Sequence, residues 1–232
     1  MSRAGARPNL DSFSWVNMKL VIGDKNYSSW SMRPWVLMTH FGIPFEEVLI
    51  ELDRPETKGA ILAFSASGKV PCLVTDDGLA VWDSLAIAET LAERFPQHAL
   101  WPRDANARAR ARSVSAEMHS SFVDLRSNMP MAIRTSKPGA GATPGALADI
   151  ARIDALWSGC LEASDGPFLF GEFSIADAMY APVVMRFNSY APRLSPQAAA
   201  YAARVSAEPA VAAWIAAARK ETHRIEHDEP EA

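Results

Sequence analysis

Lys19-Leu20-Val21-Ile22-Gly23-Asp24-Lys25-Asn26-Tyr27-Ser28-Ser29-Trp30-Ser31-Met32-Arg33-Pro34-Trp35 is the stretch on which the reading of the fold turns. Lys19 to Ile22 is a short apolar run closed by Gly23, the pattern of a strand. Asp24 to Ser29 is polar and reads as a loop. Ser31 then precedes Met32, Trp35, Val36 and Met38, which reads as an N-capped helix. Pro34 falls in the first turn of that helix, where a missing N–H costs little. Gly42 and Pro44 supply the stop.

Further along, Phe45 to Leu52 reads as a second strand and Glu56 to Phe64 as a short helical or irregular stretch. Val70 to Thr75 is a third strand, and Asp76-Asp77-Gly78 tolerates the positive φ of a tight hairpin. Leu79 to Trp82 is the returning strand. Ser84 to Phe95 is helical, with Ile87, Leu91 and Phe95 on one face. The order β-α-β-α-β-β-α predicts a mixed sheet of four strands covered by helices, the thioredoxin-like arrangement. Strand alternation then ceases. Ala105 to Arg134, Leu147 to Ala163, Ile175 to Phe187, Pro196 to Val205 and Pro209 to Arg219 read as helices. The fold class is thus an α/β domain followed by an all-α domain. The expected boundaries are a flexible extension at 1–17, the α/β domain at 18–98, a linker at 99–104, the helical domain at 105–225 and a frayed acidic tail at 226–232.

Composition narrows the function. Of 232 residues 49% are hydrophobic, and the net charge of −4 offers no broad basic field for nucleic acid. The basic run Arg103 to Arg112 alternates with small residues, as the solvated face of a helix does. No apolar stretch is long enough to span a membrane. Met1 to Asn17 lacks the apolar segment of a secretory signal. Neither Cys72 and Cys160 nor His40, His98, His119, His223 and His227 show metal-ligand spacing. A reducing, cytoplasmic location is expected.

The candidate chemistry begins at the serine loop. A helix N-terminus presents free N–H groups and a partial positive charge, which favour an anion such as a thiolate. A dithiol enzyme would carry Cys-x-x-Cys here, whereas this chain has Ser28, Ser29, Trp30 and Ser31. A serine hydroxyl can donate to a bound thiolate and favour its ionisation, though serines here also serve as caps and turn formers. In Lys69-Val70-Pro71 the proline at a strand start allows a cis bond, although an ordinary trans proline is the better reading of these residues alone. The cis geometry would turn the backbone of Val70 toward an extended peptide. Asp83-Ser84 opens a helix, where Ser84 with nearby N–H groups suits a carboxylate and Asp83 an ammonium; plain capping is the other reading. Ser174-x-x-Asp177 is read as a structural capping box.

Together these segments resemble the cytosolic glutathione transferases. Ser28-Ser29-Trp30-Ser31-Met32-Arg33 is similar to the zeta-class motif, with Trp30 where that class has a cysteine. Lys69-Val70-Pro71 and Asp83-Ser84-Leu85-Ala86-Ile87 resemble the two other parts of the family's ligand site, with Asp83 where Glu or Gln is usual. Phe170 to Asp177 resembles the capping motif of the helical domain. The resemblance implies that Ser28, with Ser29 secondary, stabilises the glutathione thiolate. It implies that Val70, before a cis Pro71, pairs with the cysteinyl backbone, that Asp83 and Ser84 hold the γ-glutamyl end, and that Lys69 approaches the glycine carboxylate. Glutathione is then co-substrate or cofactor, with no metal, for conjugation of a small electrophile or for isomerisation. Met118, His119, Phe122, Arg126 and Arg186 are the candidate electrophile pocket. The resemblance also implies a homodimer, and Met129, Met131, Ile133 and Trp157 supply apolar surface that such an interface could use. A non-catalytic binding or regulatory protein on the same scaffold is the alternative. Cys72 is either a buried core thiol or a partner for a mixed disulfide.

Overall fold

A computed structural model describes residues 17–229. The expected extension lies almost wholly outside them. The sheet runs β2-β1-β3-β4, built from β1 (Lys19–Ile22), β2 (Glu46–Leu49), β3 (Cys72–Val74) and β4 (Ala80–Trp82). β1 pairs with β2 in parallel and with β3 antiparallel, and β3 pairs antiparallel with β4. Side chains of a strand alternate between its faces. Leu20 and Ile22 therefore face α1 (Ser29–His40) and α3 (Ser84–Arg94), packing with Met32, Val36, Ile87 and Leu91. Val21 and Cys72 face the other way, onto Ile50 and onto Ile61 of α2 (Thr57–Leu62). Cys72 is fully buried on that second face, and burial pushes its thiol above the ordinary range.

The second domain is helical: α4 (Ala105–Ser120), α5 (Val123–Asn128), α6 (Pro144–Glu162), α7 (Ile175–Tyr190), α8 (Pro196–Ala207) and α9 (Pro209–Ala218). α7 is its buried axis. Trp157 of α6 meets Tyr180, Phe187 and Tyr201 edge-on or tilted, with centroids 4.8–5.7 Å apart. The capping box of Ser174 and Asp177 starts α7. Asp177 accepts from the N–H and hydroxyl of Ser174, from Leu169 N–H and from Tyr201 O–H. Among the described residues no helix is long and apolar enough to cross a membrane.

Several expectations are corrected. α1 starts earlier than expected, with Ser28 rather than Ser31 at its N-cap, so Pro34 lies in the second turn. The helix expected over Ala105 to Arg134 is broken. Phe122 adopts a left-handed φ of 59° between α4 and α5, and α5 stops before Pro130. The second strand is shorter than Phe45 to Leu52. The segment from Glu226 is not frayed as far as Glu229: Glu226–Asp228 form a 3-10 turn, and Ile225 is buried. Met129, Met131 and Trp157 belong to the chain's own core, so they are withdrawn as interface surface.

Candidate active site

The strand register explains why three separated segments meet. Val21 pairs with Cys72, and Cys72 with Trp82. The residues just beyond these pairs, Gly23, Pro71 and Asp83, therefore gather at one end of the sheet. The serine loop leads from there into α1.

Within that loop Ser28 is buried, and its hydroxyl donates to Ser31 Oγ at 2.7 Å. Ser31 Oγ also accepts from Gly23 N–H at 3.1 Å, which ties the start of the loop to the helix. Ser29 is half-buried and its Oγ accepts from Arg186 Nη2 at 3.4 Å. The residues leading to Ser28 are held by the C-terminal segment. Glu221 accepts from the N–H groups of Lys25 and Asn26 at 2.8 and 2.9 Å. His223 lies 3.0 Å from Asp24, and Ile225 N–H donates to Tyr27 Oη at 3.2 Å. Tyr27 in turn donates to Glu229.

The Val70–Pro71 bond is cis. Asp83 takes a positive φ of 76° and caps α3, Oδ1 accepting from Leu85 N–H at 2.9 Å. Burial pushes the Asp83 carboxyl up, but the Leu85 N–H and His119 outweigh it and hold it below the usual carboxylate range. Ser84 is buried, its Oγ accepting from Arg33 Nη1 at 3.2 Å. Asp83 and Ser84 line one cleft of about 440 Å³ with Trp30, Lys69, Val70, Pro71 and Trp82.

A second cavity, about 560 Å³, shares Trp30, Lys69 and Val70 with the first. It is lined by Ser28, Ser29, Arg126, Pro130, Met131, Arg186 and Asp228, among others. The expected electrophile pocket is thus corrected in part. Arg126 and Arg186 line this cavity, but Met118 and Phe122 are buried in the helical core. His119 turns instead toward the first cleft, with Nε2 at 2.7 Å from Asp83 Oδ2 and its ring 5.4 Å from that of Trp30.

The site is strongly cationic. Arg33 lies 4.2 Å and Arg126 5.4 Å from the Trp30 ring centroid. Burial, with Arg186 and Arg126 nearby, pulls Arg33 down to about 9. Burial, with Arg126, pulls Arg186 down to about 10. Both remain cations at neutral pH. Arg33 Nε is buried without a partner.

Residues 27–94 match the N-terminal domain model of the glutathione S-transferases, and residues 106–217 match the C-terminal domain model. The chain belongs to the glutathione S-transferase family. A probable maleylacetoacetate isomerase of Caenorhabditis elegans is 28% identical over 186 residues, 78% of this chain and 84% of that protein. The maleylacetoacetate isomerase of Pseudomonas aeruginosa is 35% identical over 102 residues, 43% of this chain and 47% of that protein. A Burkholderia glutathione transferase homologue, solved with bound glutathione, superposes with a TM-score of 0.68 at 24% identity, covering 88% of this chain and 100% of that one. That likeness is one of fold.

Trp82 lines the first cleft and Arg33 contacts Ser84 there, and sequence reasoning passed over both. Arg33 had a signal: a charged residue between Met32 and Pro34, on a helix whose neighbouring positions are apolar. Trp82 is 53% exposed, and a large exposed aromatic at a strand end was its signal.

Proposed function

We propose that this glutathione transferase-family chain is an enzyme that uses glutathione against a small, anionic electrophile. The reaction is either conjugation or isomerisation of an unsaturated keto acid, the latter in line with the names of its relatives. The observation carrying this reading is that Val70–Pro71 and Asp83–Ser84 line one cleft, while Ser28 and Ser29 line an arginine-bearing cavity that shares Trp30, Lys69 and Val70 with it.

The donor set fits glutathione by charge. Ser84, backed by Arg33 and the N-terminus of α3, suits the γ-glutamyl carboxylate, and Asp83 its ammonium. Lys69 suits the glycine carboxylate, and Val70 the cysteinyl backbone. The bound peptide supplies a thiolate nucleophile. Ser28 and Ser29, at the N-terminus of α1, donate hydrogen bonds to that sulfur and lower the cost of ionisation. Arg126 is half-exposed in the second cavity and holds the electrophile's negative group. The protein acts as a homodimer.

The test is retention on immobilised glutathione with release by free glutathione. Turnover is then measured with unsaturated keto acids beside neutral aryl halides. Faster turnover of the keto acids supports the reading. Retention without turnover of any electrophile favours a binding protein, and no retention removes the glutathione site.

A further inference from the structure

We propose that Arg186 is a positioning residue for the thiol step: it occupies one lone pair of Ser29 and so biases the Ser29 proton toward the bound sulfur. The inference rests on the glutathione reading above and adds a residue to its machinery.

A guanidinium carries donors and no acceptor. In the contact between Arg186 Nη2 and Ser29 Oγ, 3.4 Å, the serine must therefore accept. Its own O–H is left for an acceptor in the cavity. The neighbouring Ser28 is placed differently, since its O–H is already directed at Ser31 Oγ, 2.7 Å away. Ser29 is thus the serine of the pair whose donor is free before the sulfur arrives, whereas Ser28 has to leave Ser31 to donate to it.

The arginine is held in place from the helical domain. It projects from α7, is only 5% exposed, and donates through Nε to Met129 O at 2.9 Å and through Nη1 to Pro182 O at 3.3 Å. With Ser29 the fork serves three acceptors at once, which a lysine ammonium on a flexible stem does not reproduce.

Charge adds to direction. The groups facing Arg186 are Arg126 from α5, Arg33 from α1, Tyr190 on α7 and Asp228 from the C-terminal turn. Asp228 is the one carboxylate lining this cavity among the described residues. Arg126, Arg186 and Lys69 therefore line the cavity with a single carboxylate, and a thiolate above Ser29 supplies a second anion. The balance is simple. The thiol gives its proton to water, sulfur keeps the electron pair, and Ser29 keeps its proton while donating a hydrogen bond.

The experiment uses the full chain saturated with glutathione. The ultraviolet absorbance of the bound thiolate is titrated against pH, with binding followed by calorimetry. Arg186→Gln is expected to raise the apparent thiol pKa by about 1 unit, and Arg186→Lys by less. Ser29→Ala is expected to raise it similarly. The double variant is expected to go no further than the larger single effect, because both changes break one arrangement. An unmoved thiol pKa in both Arg186 variants overturns the assignment, and so does full additivity with Ser29→Ala. Where Arg186→Gln does not fold, Arg186→Lys and its double with Ser29→Ala decide on the same criterion. Absence of glutathione binding in the wild type overturns the glutathione reading and this assignment together, whereas binding with an unmoved thiol overturns this assignment alone.

Discussion

His119 Nε2 lies 2.7 Å from Asp83 Oδ2, so a side chain of α4 in the helical domain grips the residue that caps α3 in the sheet domain. The other oxygen of Asp83 accepts from Leu85 N–H at 2.9 Å. Both carboxylate oxygens are therefore held before any ligand arrives. A γ-glutamyl ammonium would share Oδ2 with His119 and meet a carboxylate already oriented.

From this contact, His119→Ala should raise KM for glutathione about fivefold, the effect of one hydrogen bond worth on the order of 1 kcal/mol. kcat should change little, because the group is remote from sulfur. His119→Gln keeps a donor and should recover most of the loss. A fall in kcat at unchanged KM would count against this placement.

Asp83→Asn should separate charge from conformation. Asn tolerates the positive φ of 76° better than most residues and still caps a helix. The folded state should survive while KM for glutathione rises, and Ser84→Ala should behave alike. Steady-state kinetics with unfolding midpoints decide this. A loss of stability with an unchanged KM would reduce both residues to caps.

Ser28→Ala should cost more than a distant contact. It removes a hydroxyl at the N-cap of α1 and the 2.7 Å bond to Ser31. A lost donor to developing charge costs on the order of 2.7–4 kcal/mol of barrier. Single-turnover rates should fall by about 100-fold or more, with the fold intact by circular dichroism. Near-normal rates would assign the thiolate to Ser29 and the backbone alone.

Asp177 gives a pH-dependent prediction. Burial pushes its carboxyl up to about 6, against the hydrogen bonds that pull it down. The folded state thus holds this proton more tightly than the unfolded chain, whose value lies near 3.9. Stability from this group is fullest below about pH 4 and is lost as pH rises through about 6. Asp177→Asn should flatten that slope in urea midpoints measured across the window. Asp177→Ala leaves buried donors unpaired and should destabilise by on the order of 3 kcal/mol at low pH, where the wild-type group contributes most. Parallel profiles for wild type and Asp177→Asn would contradict the raised value.

Much of this was legible locally. The Lys19–Ile22 strand, the hairpin at Asp76-Asp77-Gly78 and the capping box at Ser174 are each specified within a few residues. What was not legible depends on distance. Ser28, Ser29 and Ser31 are all competent N-caps, and only the Gly23 N–H bond to Ser31 shows which serine is used inside the helix. The role of Arg186 depends on Ser29, 157 positions away in sequence. The order of the C-terminal turn depends on Tyr27, which no pattern around Glu229 announces. The break at Phe122 was missed because Phe122 continues the apolar spacing of its helix, although Pro130 did mark the limit beyond it.

The homodimer is the last prediction, and the surface argues for it differently from the sequence. Met129, Met131 and Trp157 are consumed by the core, but β4 is an edge strand that leaves Leu79 and Trp82 each 53% exposed. Unpaired edges carrying large apolar side chains are normally covered. On the helical domain Val123 is 59% exposed. Packing the sheet domain of one chain on the helical domain of another would cover both patches, and a stable interface needs about 800 Å² from each partner. Because Trp82 also lines the cleft of Val70, Pro71, Asp83 and Ser84, such a pair would close one of its rims. Light scattering behind size exclusion, at micromolar concentration and moderate salt, should give about twice the chain mass of 25.3 kDa. Leu79→Glu with Trp82→Glu should shift that mass toward the monomer. A wild-type mass near 25.3 kDa would end the dimer reading while leaving the glutathione site of the single chain standing.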